Sequence, residues 1–136
     1  MKNEIRKGRH CVFLLHCHLV FVTKYRKAVF TEKMLISMKN HFKKICSNFE
    51  VELKEFNGEK DHVHLLINFP PKVPISKLVN ALKGVSSRRL RQEFKQEIDL
   101  IYWKGVLWSP SYFAGSVGGA PLEIVKQYIE QQERSH

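Results

Sequence analysis

His62-Val63-His64 places two imidazoles two residues apart. On an extended segment both side chains project from one side, with Cα atoms roughly 6.7 Å apart, close enough to converge on one divalent ion. Two donors alone do not complete a coordination shell, and hydrogen-bonded surface histidines would satisfy the same pattern. A second set of reactive types lies near the C-terminus. On a helix, Val125, Tyr128 and Gln132 fall on one stripe at i, i+3 and i+7, with Tyr128 and Gln132 about 6 Å apart along the axis. A phenol is a nucleophile once activated, since its ordinary pKa is about 10. The same stripe also reads as the edge of an apolar face shared with Leu122, Val125 and Ile129.

The elements that must position these residues follow from periodicity. Residues 11–23 are apolar, β-branched and aromatic with no Gly or Pro, which predicts a central strand. Thr31 is an N-cap for a helix in which Met34, Leu35, Met38, Phe42 and Ile45 recur to about Asn48. Residues 49–57 alternate, Asn57-Gly58 signals a hairpin, and 61–69 alternate again until Pro70-Pro71. Ile75, Leu78, Val79, Leu82 and Val85, continued by Leu90 and Phe94, predict a helix over about 75–97. A short strand is expected at 104–107, followed by Trp108 in the core. A loop with Gly115, Gly118 and Gly119 then precedes Pro121, a good first helical residue, and a last helix to about Gln132.

This β-α-β-β-α-β order with an added C-terminal helix predicts one α+β domain with a ferredoxin-like or RRM-like antiparallel sheet. The core spans about 11–114, with a glycine segment at 115–120 and the final helix at 121–136. Val63, Leu65, Ile67 and Phe69 then face the two long helices, while His62, His64, Leu66 and Asn68 face the free side of the sheet.

The 136 residues suffice for one domain. With 23 Lys+Arg against 13 Asp+Glu the net charge is +10. The excess is concentrated: residues 1–33 carry eight basic and two acidic side chains, and residues 72–95 carry seven and one. Two basic stripes predict a polyanionic partner, nucleic acid ahead of a membrane surface. No apolar run approaches the roughly 20 residues of a membrane span. His16 and His18 interrupt the apolar N-terminal run and no small-residue cleavage site follows, so no signal peptide is expected. Three cysteines without a CxxC pair suit a reducing cytoplasm. Cys11, His16, Cys17 and His18 do not make a zinc site, because Cys17 points away from both histidines on a strand. Gly115–Gly119 lacks the Lys-Ser/Thr ending of a phosphate loop, so no nucleotide cofactor is expected.

The ordered combination of His62-Val63-His64, Leu107-Trp108-Ser109-Pro110-Ser111-Tyr112-Phe113, a glycine-containing loop and Tyr128 four residues before Gln132 resembles the single-tyrosine HUH transposases (TnpA-like) of bacterial insertion sequences that move as single-stranded DNA. Thr23-Lys24-Tyr25-Arg26 and Lys83-Gly84-Val85-Ser86-Ser87 are similar to the same family, and the resemblance runs from about residue 10 to 133. It implies that Tyr128 is the nucleophile and that His62, His64 and Gln132 hold Mg²⁺ or Mn²⁺. Asp61, beside His62, reads either as a carboxylate that orients an imidazole or as a solvated turn residue. Two imidazoles with an amide oxygen suit Mn²⁺ better than Mg²⁺.

The resemblance further implies end-hairpin recognition in single-stranded DNA, a 5′-phosphotyrosine intermediate, and a cytoplasmic bacterial or archaeal protein. It implies a homodimer with composite sites, in which Gly115, Gly118 and Gly119 form the hinge of the tyrosine helix. Lys24, Tyr25, Arg26 and Lys27, and Lys83, Arg88, Arg89, Arg91 and Lys95, are the candidate DNA contacts, with Tyr25 a stacking platform. Two other readings of the residues stand beside this one: a noncatalytic RRM-like nucleic-acid binder, and a metal-dependent nuclease using water.

Overall fold

Leu19 and Phe21 on one strand and Val63, Leu65 and Ile67 on its neighbour are fully buried on the same side of a sheet. Alternation at period two aims them at the helices and leaves the intervening residues on the opposite face. The computed structural model describes residues 5–103, 105–116 and 122–132, with the backbone alone at 122–124. The chain opens on a hairpin of β1 (Arg6–Lys7) and β2 (Val12–Phe13) and continues as β3 (His16–Val22), a short turn at Lys24–Arg26, α1 (Glu32–Asn48), β4 (Glu52–Gly58) and β5 (His62–Asn68). Then follow α2 (Ile75–Glu93), α3 (Lys95–Asp99), β6 (Phe113–Ser116) and α4 (Leu122–Gln131). The main sheet is antiparallel in the order β4-β5-β3-β6, the split βαβ arrangement that the sequence predicts.

Helix α1 begins where expected: the Thr31 side chain accepts a hydrogen bond from Met34 N. Met34, Met38 and Phe42 are fully buried, as are Leu78, Val79 and Leu82 of α2. Trp108 is in this core, its indole N–H donating to the buried Ser86 hydroxyl at 3.0 Å.

The structure corrects several boundaries. The predicted 11–23 strand is two strands, because Gly8 N bonds Cys11 O and folds β2 back onto β1, while Leu14 and Leu15 are exposed between β2 and β3. Asn57 and Gly58 lie within β4, opposite His64 and Val63, and the turn is made by residues 59–61. Gly58 serves packing: a Cβ there would lie 2.4 Å from Leu35 Cδ2 of α1. The 75–97 helix is interrupted at Phe94 (φ −124°, ψ 42°), where the chain turns and Ile98 of α3 follows Leu90 into the core. The 104–107 strand is absent among the described residues. Trp108 makes one bridge to Thr23, and the fourth strand is β6, formed by Phe113–Ser116 after Pro110. Gly115, assigned to a hinge, therefore pairs with His18 inside β6; Gly118 and Gly119 lie outside the described residues.

The other side of the sheet is partly covered. Val20 and Val22 of β3 are fully buried against Val125 of α4, with Phe113, Tyr128 and Ile129 packed around them. Chemical denaturation should rank the contributions of α1: Phe42→Ala should lower stability by about 3–5 kcal/mol, and Thr31→Ala by about 1 kcal/mol.

Candidate active site

The β3–β5 register sets Val22 opposite His62 and Val20 opposite His64. The two histidine rings meet edge to face with centroids 4.9 Å apart. Asp61 Oδ1 lies 2.7 Å from His62 Nδ1, and Asp61 Oδ2 lies 3.4 Å from Arg26 Nε. A carboxylate there favours a proton on Nδ1, which leaves the Nε2 lone pair of His62 free to ligate. His64 Nδ1 is 3.3 Å from His18 Nε2, and these two rings stack at 5.4 Å. His64 Nε2 is likewise left without a hydrogen-bond partner among the described residues.

Burial, and then the neighbouring His62 and His18, push the His64 pKa down to about 4. Burial lowers His18 as well, and Glu55 partly opposes that. A neutral imidazole at neutral pH is the form that donates a lone pair. Among the described residues no three His, Cys, Asp or Glu side chains gather into a cation site. A third donor must therefore be of another type, such as an amide oxygen.

Helix α4 rests beside these imidazoles, since Val20 and Val22 beneath it are the register partners of His64 and His62. Tyr128 is half-buried, its ring 5.8 Å from that of Phe113. Its hydroxyl is 2.8 Å from Ser111 Oγ. Burial raises the phenol pKa and the Ser111 hydrogen bond partly offsets that. Ser109 Oγ donates to Gln132 Oε1 at 3.1 Å, and Gln132 Nε2 donates to Tyr128 O at 3.1 Å. The Ser109–Ser111 segment thus holds both Tyr128 and Gln132. That segment is in turn tied to α2, because Lys83 Nζ donates to Ser109 O at 2.6 Å and to Ser111 O at 2.9 Å. Burial pushes the Lys83 pKa down to about 8.

The basic candidates separate by environment. Arg26 bridges Asp61 and, at 3.5 Å, the Glu130 carbonyl of α4. Tyr25 and Arg26 both have left-handed backbone (φ 59° and 54°), a costly conformation for non-glycine residues. The Tyr102 hydroxyl, donating to Lys24 O, fastens this turn from below. Tyr25 is exposed with Lys24 Nζ 5.2 Å from its ring centroid. Lys27 is half-buried near this turn, while Arg88, Arg89 and Lys95 are exposed and Arg91 is half-buried along α2 and α3. Lys95 pairs with Asp99.

Sequence reasoning named His62, His64, Asp61, Tyr128 and Gln132, which the structure sets on the β5 face and on the helix beside it; it did not foresee His18, Ser109 and Ser111 as their hydrogen-bond partners. The only signal for His18 was that it shares a strand face with His16. Ser109 and Ser111 lie in a stretch noted for its resemblance, with no pattern that marks hydroxyls as partners of a distant helix.

Paired imidazoles on a sheet face, with a phenol-bearing helix docked alongside, define a site suited to metal-assisted nucleophilic chemistry. Comparison with known proteins gives the family. The sequence profile of the family described as "Transposase IS200 like" matches residues 11–132, and the chain belongs to that family. It is a transposase, an enzyme that cleaves DNA. It is 34% identical over 129 residues to the ISDra2 transposase TnpA of Deinococcus radiodurans, covering 95% of this chain and 91% of that one. It is 30% identical to the transposase for insertion sequence element IS200 of Salmonella typhimurium, covering 85% and 74%. A crystal structure assigned as a transposase from Deinococcus radiodurans superposes with a TM-score of 0.87 at 35% identity, covering 96% of this chain and 99% of that one. A REP-associated tyrosine transposase bound to a REP hairpin shares the fold, with a TM-score of 0.56 at 9% identity over 93% of this chain and 69% of that one.

The site carries a pH consequence. The metal-free His64 ring should titrate by NMR near pH 4 rather than near 6.5. Because its folded pKa lies below the unfolded value, its contribution to stability is present above about pH 6.5 and is lost as pH falls toward 4.

Proposed function

We propose that this transposase cleaves single-stranded DNA through Tyr128. The phenol oxygen attacks the scissile phosphorus and forms the O–P bond of a 5′-phosphotyrosine. The P–O3′ bond breaks, the phenol loses its proton, and the departing 3′-oxygen takes one up as a free hydroxyl. The transferred bond is conserved in the covalent link, so the reverse attack by a 3′-hydroxyl rejoins strands without an external energy source. The observation that carries this reading is the docking of α4 on Val20 and Val22, the partners of the two histidines in the sheet register.

His62 Nε2, His64 Nε2 and the amide oxygen of Gln132 are the atoms that would hold a divalent ion, Mn²⁺ by donor type or Mg²⁺. The donor chemistry fits, since Asp61 and His18 occupy the two Nδ1 atoms and His64 is neutral at neutral pH. When bound, such an ion neutralises phosphate charge and polarises the phosphorus toward attack. Ser111 orients the Tyr128 hydroxyl and Ser109 steadies Gln132.

The substrate is read as single-stranded DNA with hairpin ends, in keeping with the basic stripes and with the hairpin bound by the related REP-associated protein. The active species is read as a homodimer in the cytoplasm whose tyrosine helices complete sites between subunits. Among the described residues no helix is long and apolar enough to cross a membrane.

Incubating the protein with a pool of hairpin-ended single-stranded DNA and Mn²⁺, then denaturing, should yield a covalent protein–DNA adduct. Tyr128→Phe should remove the adduct and the cleavage while leaving hairpin affinity unchanged. Cleavage without adduct would establish the water-using nuclease instead, and binding without cleavage the RRM-like binder. Mixing Tyr128→Phe with His64→Ala subunits should restore part of the activity that each lacks alone; no restoration means that helix and histidines act within one chain.

A further inference from the structure

Among the described residues nothing requires Gly84 to be glycine. It lies in the interior of α2, where glycine is the poorest residue after proline, and it is exposed. A Cβ built on it would meet no described atom within 4 Å, in contrast to Gly58, whose Cβ would strike Leu35. The bare backbone faces a cleft of about 330 Å³ between α2 and residues 105–110, lined also by Lys24, Lys83, Ser87, Gly105 and Ser109. Gly105, on the other side, has φ +70° and open space where a side chain would be. The volume is at the small end of ligand sites, which begin at about 300 Å³.

The charge around this cleft is of one sign. Gly84 heads a helical stripe that continues through Ser87, Arg88 and Arg91 at i+3, i+4 and i+7. Arg91 Nε bonds Ser87 Oγ at 3.1 Å, which holds its guanidinium along the stripe. Among the described residues neither Arg88, Arg91 nor Lys24 is within salt-bridge distance of a carboxylate. Lys83 has a different task, since its ammonium spans the cleft to the carbonyls that hold the Ser109–Ser111 segment. An occupant must therefore be anionic and must approach the helix backbone closely.

We propose that this cleft seats a phosphodiester segment of the DNA substrate. Its backbone lies against the side-chain-free face at Gly84, with Lys24 and Arg88 neutralising phosphate charge. The missing Cβ is the contact surface, and the lower helix propensity is the consequence. The proposal rests on the DNA-cleaving reading above and adds a place where the strand is gripped apart from the reacting atoms.

The test uses full-length Gly84→Ala and Gly84→Gln, uncharged helix formers on an exposed position. In the Tyr128→Phe background with chelator, binding of a fluorescent DNA hairpin with single-stranded flanks is measured against salt, and melting temperature is recorded for each. Both variants should melt a few degrees higher than the parent. Gly84→Gln should bind the hairpin at least about tenfold more weakly, and Gly84→Ala should fall between. Lys24→Gln should reduce the slope of log affinity against log salt by about one contact. A Gly84→Gln protein that gains stability and binds as tightly as the parent overturns the proposal. Adduct formation by the protein with Tyr128 intact, assayed at saturating DNA, reports separately on the cleavage reading, so the two stand or fall on different measurements.

Discussion

The antiparallel register between β3 and β5 is the constraint on which the site depends. With Val22 across from His62 and Val20 across from His64, the imidazoles stand beside the two apolar side chains that receive α4. A shift of one residue in either strand would turn its side chains to the other face. On β5 it would bury His62 and His64 under the long helices and expose Val63 and Leu65. The helix-side core opposes that slip strongly, because five residues of the two strands are fully buried there. The placement of the chemistry is thus a by-product of the packing on the reverse face.

The seat of α4 has a different character. Its described apolar contact centres on Val125 over Val20 and Val22 with Phe113, Tyr128 and Ile129 around them, and polar contacts join it: Ser111 to Tyr128, Ser109 to Gln132, and Arg26 to the Glu130 carbonyl. Individual hydrogen bonds of this kind contribute about 1 kcal/mol each, far less than a buried aromatic core side chain. Among the described residues, α4 is thus seated by a small apolar cluster together with hydroxyl and guanidinium contacts, a lighter attachment than that of the helices on the other face.

Basic residues divide between two tasks. Lys83 and Arg26 face inward, onto backbone carbonyls and a carboxylate, and hold the segments that position Tyr128, Gln132 and His62. Arg88 and Arg89 face water, where charge contributes little to stability and most to long-range attraction of a polyanion. Counting positive charge along the chain cannot make this division, because it depends on what lies opposite each side chain.

Much of the architecture was legible in the sequence, since helix and strand periods are local: α1 starts at Thr31 as its cap predicts, and β5 alternates as written. The alternation also put His62 and His64 on the face away from the long helices. The boundaries that failed were those decided by neighbours. Gly58 reads as a turn residue but is glycine because α1 crosses it at Leu35. Residues 104–107 have strand composition, yet only Trp108 bridges to Thr23 and the edge position goes to Phe113–Ser116.

The proposed chemistry was likewise read from residue identity, through two imidazoles at strand spacing and a phenol one turn from an amide. Its arrangement was decided by long-range pairing. His18 reaches His64 from 46 residues away, and Ser111 reaches Tyr128 from 17. Such contacts arise from strand register and helix docking, which sum weak preferences over the whole molecule and leave no periodic trace at the residues they join.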